Sequence, residues 1–344
     1  MYVLITGGCG FLGQRLARSL LDDGLAVLGG RAAPPLARLI LADRFAPPPS
    51  LAADARVQHV GGDLVDALRD GRLAPAGCRL VFHLAAAVSA ECEADLELGL
   101  RSNLEATLAL LRACAVGGVG GAEPPLFVFA SSVAVFGAPP GQALPQPVED
   151  NTLPMPQTSY GSQKFAGELL VADFSRRGLV HGRSLRLMTV AVRPGRPNAA
   201  ASGFLSGIVR EPLAGQRARC PVPPATEVAL ASPARTVQAL RRAAEADAAA
   251  WGPTTAVNAP SLTVSVGAMV QALAEAAGAQ AAALIDWEPD PRIERIVSGW
   301  PSRVAATRAA ALGLQPDRSF GDIVAAYIAD HPDAVRLPPG GGSN

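Results

Sequence analysis

Apolar residues occur along the chain in two alternating patterns, short unbroken runs and longer segments with helical periodicity. Residues 2–6 form an apolar run that leads into glycines, and residues 11–22 then place Leu12, Leu16 and Leu20 at helical spacing. Short apolar runs bounded by turn residues are typical of buried parallel strands, whereas leucines every four residues indicate an amphipathic helix. The chain therefore begins with a predicted strand, turn and helix.

The same alternation continues to about residue 195. After a stretch rich in glycine and proline, further strands are predicted at residues 36–43, 56–61, 78–84, 126–131 and 185–192. Helices are predicted between them at residues 64–70, 91–115 and 160–177. Strands that alternate with helices form βαβ units. The predicted fold is α/β, a Rossmann-type doubly wound parallel sheet.

The pattern becomes less regular after about residue 199. Short strands are predicted near residues 216–222, 226–231, 254–258 and 282–287, with helices near 203–214, 233–246, 265–277, 302–312 and 319–330. This predicts a smaller α+β cap on the sheet. We divide the chain into a dinucleotide-binding domain at residues 1–195, a substrate-binding cap at 196–335 and a flexible tail at 336–344, with strands near 226–260 rejoining the main sheet.

Charge and composition narrow the functional classes. The 344 residues contain 30 basic and 30 acidic side chains, and this balance argues against a nucleic-acid or polybasic membrane-surface protein. Five separated cysteines without a Cys-x-x-Cys pair indicate neither a disulfide framework nor a metal site. There is no apolar run long enough to span a membrane, and the first residues do not resemble a signal peptide. We expect a soluble cytoplasmic protein without a metal.

The glycines after the first strand have the spacing of a dinucleotide-binding turn. Residues 6–13 satisfy T-G-x-x-G-x-x-G through Gly7, Gly10 and Gly13, with Phe11 and Leu12 opening the helix. Such glycines allow a tight turn, close backbone approach to a pyrophosphate and close helix–strand packing. The positive end of the helix then favours the bound anion.

Acidic residues end two of the predicted strands. Asp43 is placed to accept hydrogen bonds from the adenosine ribose, which favours NAD over NADP, although the adjacent Arg44 leaves NADP open. Asp63 is placed either to accept the adenine amino group or to cap the following helix, which begins near Leu64.

The residue types at the start of one helix indicate acid–base chemistry. Tyr160 and Lys164 lie four residues apart, on one helical face, and Lys164 is the only lysine of the chain. A nearby ammonium lowers the pKa of a phenol and makes it a usable general base. A solvated helical face is the alternative explanation.

Hydroxyl groups at the end of the strand at residues 126–131 lie where open α/β sheets bind ligands. Ser132 is the candidate for orienting a reacting hydroxyl, with Ser131 as its neighbouring alternative and simple capping as the structural explanation. His83 lies inside a predicted strand, and we interpret it as a hydrogen-bonded core residue.

These motifs together resemble the extended short-chain dehydrogenase/reductases, also called the NAD-dependent epimerase/dehydratase family. The resemblance rests on residues 6–13, 83–86, Asn103, 131–137 and 160–164. Four further stretches, at residues 156–161, 192–198, 208–213 and 287–291, are similar to those of the D-erythronate dehydrogenase group of that family. This similarity implies NAD-dependent oxidation of the C2 hydroxyl of D-erythronate, a small sugar acid, to the 2-oxo acid.

The resemblance also implies roles for individual residues. Tyr160 is the proton acceptor, Lys164 its partner on the nicotinamide ribose, Ser132 orients the substrate hydroxyl, and Asn103 supports a proton relay near Lys164. The implied cofactor site comprises Gly7, Gly10, Phe11, Leu12, Gly13, Asp43, Asp63, Leu64, Leu84, Ala85, Ala86, Asn103, Tyr160 and Lys164. The implied substrate site comprises Ser131, Ser132, Tyr160, Thr189, Arg193 and Arg196, with Arg210 as a further cation.

Two alternatives remain. One is an epimerase or dehydratase acting on a nucleotide-activated sugar, which Thr189 disfavours because many such enzymes carry asparagine there. The other is a non-catalytic dinucleotide sensor, which would have no use for Tyr160 and Lys164. Apolar residues on several faces of the predicted helices at 91–115 and 160–177 favour a homodimer.

Overall fold

The computed structural model describes residues 1–118, 123–195 and 201–336. Its strands are β1 (Tyr2–Thr6), β2 (Val27–Leu28), β3 (Arg31–Ala32), β4 (Arg38–Asp43), β5 (Val57–Gly61), β6 (Cys78–His83), β7 (Leu126–Ser132), β8 (His181–Leu187), β9 (Thr189–Val190), β10 (Ala218–Cys220), β11 (Glu227–Ala231), β12 (Val257–Asn258), β13 (Leu262–Ser265) and β14 (Ile285–Trp287).

The helices are α1 (Phe11–Asp22), α2 (Pro49–Ala52), α3 (Leu64–Arg69), α4 (Ser89–Ala94), α5 (Leu96–Gly99), α6 (Ala106–Gly118), α7 (Ser159–Arg176), α8 (Gly203–Leu213), α9 (Pro233–Glu245), α10 (Ala248–Trp251), α11 (Val266–Ala277), α12 (Ala279–Ala282), α13 (Pro291–Ser298), α14 (Thr307–Ala311) and α15 (Phe320–Asp330). A π-helical turn, Leu100–Glu105, joins α5 to α6, and two 3₁₀ turns lie at Val133–Val135 and Pro332–Ala334.

Seven parallel strands form the central sheet, in the order β12–β8–β7–β6–β1–β4–β5. The chain starts in the middle at β1, builds outward in one direction through β4 and β5, and then in the other through β6, β7 and β8. The predicted α/β fold with a doubly wound parallel sheet is confirmed. The reversal of direction beside β1 creates the crevice in which sheets of this kind bind ligands.

Both faces of the sheet are buried, which explains why its strands are continuously apolar. Alternate residues of β1 point to opposite sides, so Val3 and Ile5 pack in the cluster that contains α1 and α9, whereas Leu4 packs in the cluster that contains α6 and α7. The sheet is thus the middle of three layers, and its strand ends are fixed by packing on both sides.

A second apolar cluster lies in the C-terminal part of the chain. It is built from α8, α11 and α15 around two small sheets, β13–β11–β9 and β10–β14. The chain returns to the central sheet at β12, which pairs with β8. The division into domains at residue 195 stays a prediction. Within the described ranges, we find no helix whose length and apolar character would suffice to cross a membrane.

Two local predictions were wrong, and one helix was missed. The predicted helix at residues 91–115 is divided into α4, α5, the π-helical turn and α6. The predicted helix at 302–312 begins only at Thr307, because Val304 instead forms a bridge with Val148. Helix α13 was not predicted, and it proves important for the site described below.

Helix α7 approaches strand β7 unusually closely at Gly167. A Cβ atom at this position would lie 2.6 Å from Cζ of Phe129, a ring without solvent exposure in the middle of the sheet. Since the residue is inside a helix and needs no special backbone conformation, its small size serves the packing of α7 against the sheet.

We therefore expect Gly167→Ala to lower the free energy of unfolding by about 1–3 kcal/mol through overpacking, despite alanine's higher helix propensity. Gly321→Ala is the matched control, because a Cβ there would meet only Ser319 Oγ at an ordinary 3.6 Å. Denaturant titration of both variants measures the effect. Equal or higher stability of Gly167→Ala would show that α7 does not depend on this close approach.

Candidate active site

The glycine turn between β1 and α1 has the geometry of an anion cradle. Gly7 has a positive φ of 70°, and a Cβ there would lie 2.8 Å from the backbone nitrogen of Ala85. A Cβ at Gly13 would collide with the Gly7 carbonyl. Helix α1 begins after Gly10 without a capping side chain in the described residues, so its first N–H groups are free to bind an anion. The turn fits the pyrophosphate of a dinucleotide.

Asp43 lies beside this turn at the end of β4. Its Oδ2 accepts a hydrogen bond from the backbone N–H of Cys9 at 2.9 Å, and its Oδ1 accepts one from Phe45 at 3.1 Å. Arg44 turns away from it and donates to Asp63 Oδ2 at 3.1 Å. The Asp43 carboxylate is thus fixed beside the glycine turn, and its contact with a ribose stays a prediction.

Asp63 has a structural role. Its Oδ1 accepts from the backbone N–H groups of Val65 and Asp66, which caps α3 before Leu64, and it also pairs with Arg101 at 2.9 Å. The capping interpretation is thus confirmed, and an additional contact of Asp63 with adenine stays a prediction.

Tyr160 and Lys164 lie at the start of α7, against the end of β7. The Lys164 ammonium donates to the Ala130 carbonyl at 2.9 Å and lies 5.0 Å above the Phe129 ring and 5.7 Å from the Tyr160 ring centre. Lys164 is only 3% exposed, and burial lowers its pKa to about 8. The helix is capped by Thr158, whose hydroxyl accepts from the Gly161 N–H at 3.1 Å.

The pKa of Tyr160 differs from the sequence-based expectation. Burial raises it, while the neighbouring Ser132 hydroxyl and the Arg193 guanidinium act to lower it. Lys164, whose ammonium donates to the Ala130 carbonyl, is not among the groups that lower the Tyr160 pKa. The cation that favours a Tyr160 phenolate in this structure is Arg193, which comes from the segment after β9.

Ser131 and Ser132 have different surroundings. The Ser132 Oγ accepts from the backbone N–H of Ala134 at 3.1 Å, and the Ser132 hydroxyl is hydrogen-bonded to Tyr160, which acts to lower the pKa of that phenol. The buried Ser131 hydroxyl donates to Glu168 Oε1 at 2.5 Å. Because that contact uses its single proton, the prediction that Ser131 binds substrate gains no support.

Asn103 lies in the π-helical turn, a type of irregularity that is frequent at functional sites. Its Oδ1 accepts from the Ala87 N–H at 2.8 Å, and its Nδ2 donates to the Ala87 carbonyl, to Cys92 Sγ and to Gln163 Oε1. In the described part of the chain these contacts occupy the whole amide. Asn103 therefore holds α7 against the segment after β6, and a direct contact with a cofactor stays a prediction.

His83 is confirmed as a core residue. Its two ring nitrogens lie 2.6 Å from Thr6 Oγ1 and 2.9 Å from Thr107 Oγ1, and it is 1% exposed. Burial lowers its pKa to about 3, so the ring stays neutral.

Arg193, from the segment after β9, and Arg210, on α8, line the same cavity as Tyr160. The Arg193 backbone N–H donates to Ser206 Oγ at 3.0 Å and its Nε donates to the Val190 carbonyl at 3.1 Å. Arg210 donates to the Arg193 carbonyl at 2.8 Å and pairs with Glu211 at 2.6 Å. Burial lowers the pKa of Arg193. The predicted substrate residue Arg196 lies outside the described residues.

A single cavity of about 1030 Å³ connects these features. It extends from the glycine turn and Leu84 and Ala86, past Ser132, Tyr160 and Lys164, to Thr189, Arg193 and Arg210. Ala85 packs against the turn beside it. The site therefore combines a dinucleotide cradle, an acid–base group and cations within one continuous space.

One wall of this cavity was missed from the sequence. Helix α13 and the second residue after its end contribute Ile293, Ile296 and Trp300. Their spacing of three and four residues is the signal of an amphipathic helix, and Pro291 after Asp290 marks a helix start. These two signals together could have predicted the helix.

Comparison with known proteins agrees with this architecture. The model of the family described as "NAD dependent epimerase/dehydratase family" matches residues 3–229. A D-erythronate dehydrogenase of Cupriavidus necator is 48% identical over 96% of this chain and 98% of its own length. A D-erythronate dehydrogenase of Haemophilus influenzae is 37% identical over 95% and 99%, respectively.

A solved structure gives the same result at the level of the fold. The nucleoside-diphosphate-sugar epimerase from Agrobacterium tumefaciens superimposes with a TM-score of 0.88, at 40% identity, covering 97% of this chain and 95% of that one. Since the family model matches more than half of the chain and the relatives match it almost from end to end, this chain belongs to the NAD-dependent epimerase/dehydratase family.

Proposed function

We propose that this protein is a dehydrogenase that oxidises the C2 hydroxyl of D-erythronate to 2-dehydro-D-erythronate with NAD. The observation that carries the proposal is the single cavity that joins the glycine turn, the Tyr160 phenol and the Arg193 guanidinium. The two relatives that match the chain almost completely are named D-erythronate dehydrogenases and support this substrate.

The residues around the turn fit NAD better than NADP. Asp43 presents a carboxylate that accepts ribose hydroxyls and repels a 2′-phosphate. Arg44, the residue that could neutralise such a phosphate, is engaged with Asp63. When bound, NAD supplies the nicotinamide ring that accepts the hydride from C2.

Tyr160, Ser132 and Lys164 perform the proton transfer. The Tyr160 phenolate takes the proton of the C2 hydroxyl as the hydride leaves, and the Ser132 hydroxyl donates a hydrogen bond to the same oxygen. Lys164 provides a buried positive charge beneath the reacting groups and hydrogen-bonds the cofactor ribose. The carbon loses two electrons and becomes the 2-oxo group.

Arg193 holds the substrate carboxylate. It is half-buried, lies close enough to Tyr160 to affect its pKa, and lines the same cavity as Thr189. A carboxylate bound by this guanidinium would place the adjacent C2 hydroxyl near Tyr160. Arg210 donates a hydrogen bond to the Arg193 carbonyl and so holds the Arg193 backbone in place.

A second candidate function is epimerisation of a nucleotide-activated sugar, which the 40%-identical epimerase from Agrobacterium tumefaciens favours. Such a substrate needs cations for its diphosphate. The cavity offers Arg193 and Arg210, but Ile293, Ile296 and Trp300 give it an apolar wall on the side of the cap. The small acid is therefore the better fit.

We further propose a homodimer and a cytoplasmic location. Exposed Leu96 on α5 and Leu169 on α7 belong to adjacent helices and would be covered in a dimer. All five cysteines are buried free thiols, as expected in a reducing compartment.

We expect NADH to form when the purified protein is mixed with NAD and D-erythronate, with much weaker activity on NADP. Tyr160→Phe removes the proton acceptor and is expected to lower kcat by about 10²- to 10⁴-fold, measured by NADH absorbance. Tyr2→Phe, which removes an exposed phenol hydroxyl, should leave kcat unchanged. Epimerisation of UDP-glucose without NADH formation from any four- to six-carbon sugar acid would favour the second function.

Arg193 should affect both substrate binding and pH dependence. Oxidation requires the Tyr160 phenolate, so its rate rises with pH through the Tyr160 pKa. Arg193→Gln removes a charge that lowers this pKa and should therefore move the rising limb to higher pH, while KM for D-erythronate increases about 10- to 100-fold.

Arg193→Lys is the control that separates the two effects. The lysine keeps the positive charge, so the pH at which the rate rises should not change. It loses the bidentate geometry of the guanidinium, so the KM for D-erythronate still increases. An Arg193→Gln enzyme with wild-type KM and pH profile would exclude Arg193 from the site.

The single lysine permits a direct test of the electrostatics. Protein labelled with ¹³Cε-lysine should give one lysine signal, and it should titrate near the pKa of about 8. Burial disfavours the ammonium form, so the Lys164 side chain loses its proton at a lower pH than an exposed lysine, whose pKa is about 10.4. Titration at the ordinary pKa would mean that Lys164 is hydrated and not held against β7.

A further inference from the structure

Three successive residues of β7 contact three successive turns of α7. The Ala130 carbonyl accepts from Lys164, the Ser131 hydroxyl donates to Glu168, and the Ser132 hydroxyl lies beside Tyr160. Tyr160, Lys164 and Glu168 are spaced by four residues and therefore share one face of the helix. Only the first two belong to the proposed catalytic machinery, so the Glu168 contact needs another explanation.

Glu168 is the centre of a buried charged cluster. Its carboxylate accepts from Arg186 Nε at 2.9 Å and from a terminal nitrogen of the same guanidinium at 2.8 Å, and both side chains are only 5% exposed. Arg186 is the register partner of Ser131 on the adjacent strand β8. One carboxylate thus connects α7 to two neighbouring strands.

The guanidinium of Arg186 is fixed on its other side as well. It lies 4.8 Å above the Phe136 ring and donates to the Asp150 carbonyl at 3.3 Å. The Asp150 side chain in turn accepts from the backbone N–H groups of Asn258 and Arg308. The cluster therefore reaches from the catalytic helix to the loop after β7 and to β12.

We propose that Ser131, Glu168 and Arg186 form a positioning cluster that sets the distance between Ser132 on β7 and Tyr160 on α7. The proposal rests on the proposed function, because it assumes that these two hydroxyls bind one substrate oxygen. A buried ion pair by itself adds little to stability compared with apolar residues of similar size. A bidentate pair with a third donor, however, fixes both the rotation of a helix and its sliding along a strand.

Substitutions that move the carboxylate at position 168 without removing its charge test this inference. Glu168→Asp keeps the charge but shortens the side chain, so it cannot reach Ser131 and Arg186 together. We expect kcat for D-erythronate oxidation to fall about 10²-fold, as a displacement of about 1 Å in a reacting group does, with KM for both substrates changed less than about threefold. Ser131→Ala keeps the ion pair and should lower kcat about tenfold.

Asp173→Asn is the matched control on the same helix. Asp173 forms exposed pairs with Arg176 and Arg177 and should be replaceable without any change in kcat. If Glu168→Asp fails to fold, Ser131→Ala provides the test, since it removes one hydrogen bond without unpairing a charge. Unchanged kcat in the folded cluster variants, with an active wild type, would overturn the proposal.

A second readout does not need activity. The single ¹³Cε-lysine signal reports on Lys164, which lies one turn before Glu168. Loosening α7 should hydrate the ammonium, so Glu168→Asp should raise the Lys164 pKa from about 8, whereas Asp173→Asn should not. A wild type inactive on sugar acids would refute the proposed function, while an unchanged Lys164 pKa in Glu168→Asp would refute the positioning cluster.

Discussion

Burial of the Lys164 ammonium against strand β7 is the constraint on which the rest of the site depends. A cation that is 3% exposed needs compensating contacts, which the Ala130 carbonyl and the Phe129 ring provide. They are within reach only because α7 lies close to the sheet. Gly161 and Gly167 permit this, since a Cβ at either position would collide with the Ala134 carbonyl or the Phe129 ring. The packing of the core and the chemistry of the site therefore both require α7 to lie close to strand β7.

The electrostatics of Tyr160 follow from this arrangement. Burial raises the Tyr160 pKa, and Lys164, whose ammonium donates to a carbonyl of β7, is not among the groups that lower it. Arg193, from the segment after β9, acts to lower this pKa. Under the proposed function, the residue that binds the substrate carboxylate therefore also promotes ionisation of the phenol, which would couple the choice of substrate to the reactivity of Tyr160.

The parts of the structure that depend on local pattern could be predicted from the sequence. The glycine turn, the strand alternation and the Tyr160–Lys164 spacing each have a physical signature within a few residues. Contacts between distant segments have no such signature. The pair of Glu168 with Arg186 depends on strand register, and Asp63 could not be assigned until Arg101 and the backbone of α3 were placed beside it.

Cap elements were the least predictable for the same reason. Helix α13 had local signals, its apolar spacing and the Asp290–Pro291 start, which the surrounding prolines made easy to overlook. Residues 302–306 have a helical composition, but Val304 forms a bridge with the distant Val148, which local pattern does not indicate. The overall fold is shared with a solved structure named for a different chemistry from that of the curated relatives. Under the proposed function, specificity would reside in the part of the cavity that Arg193, Ile293 and Trp300 line together. A small acid would suit both kinds of surface, because its carboxylate would pair with the arginine and leave no second charge against the apolar side.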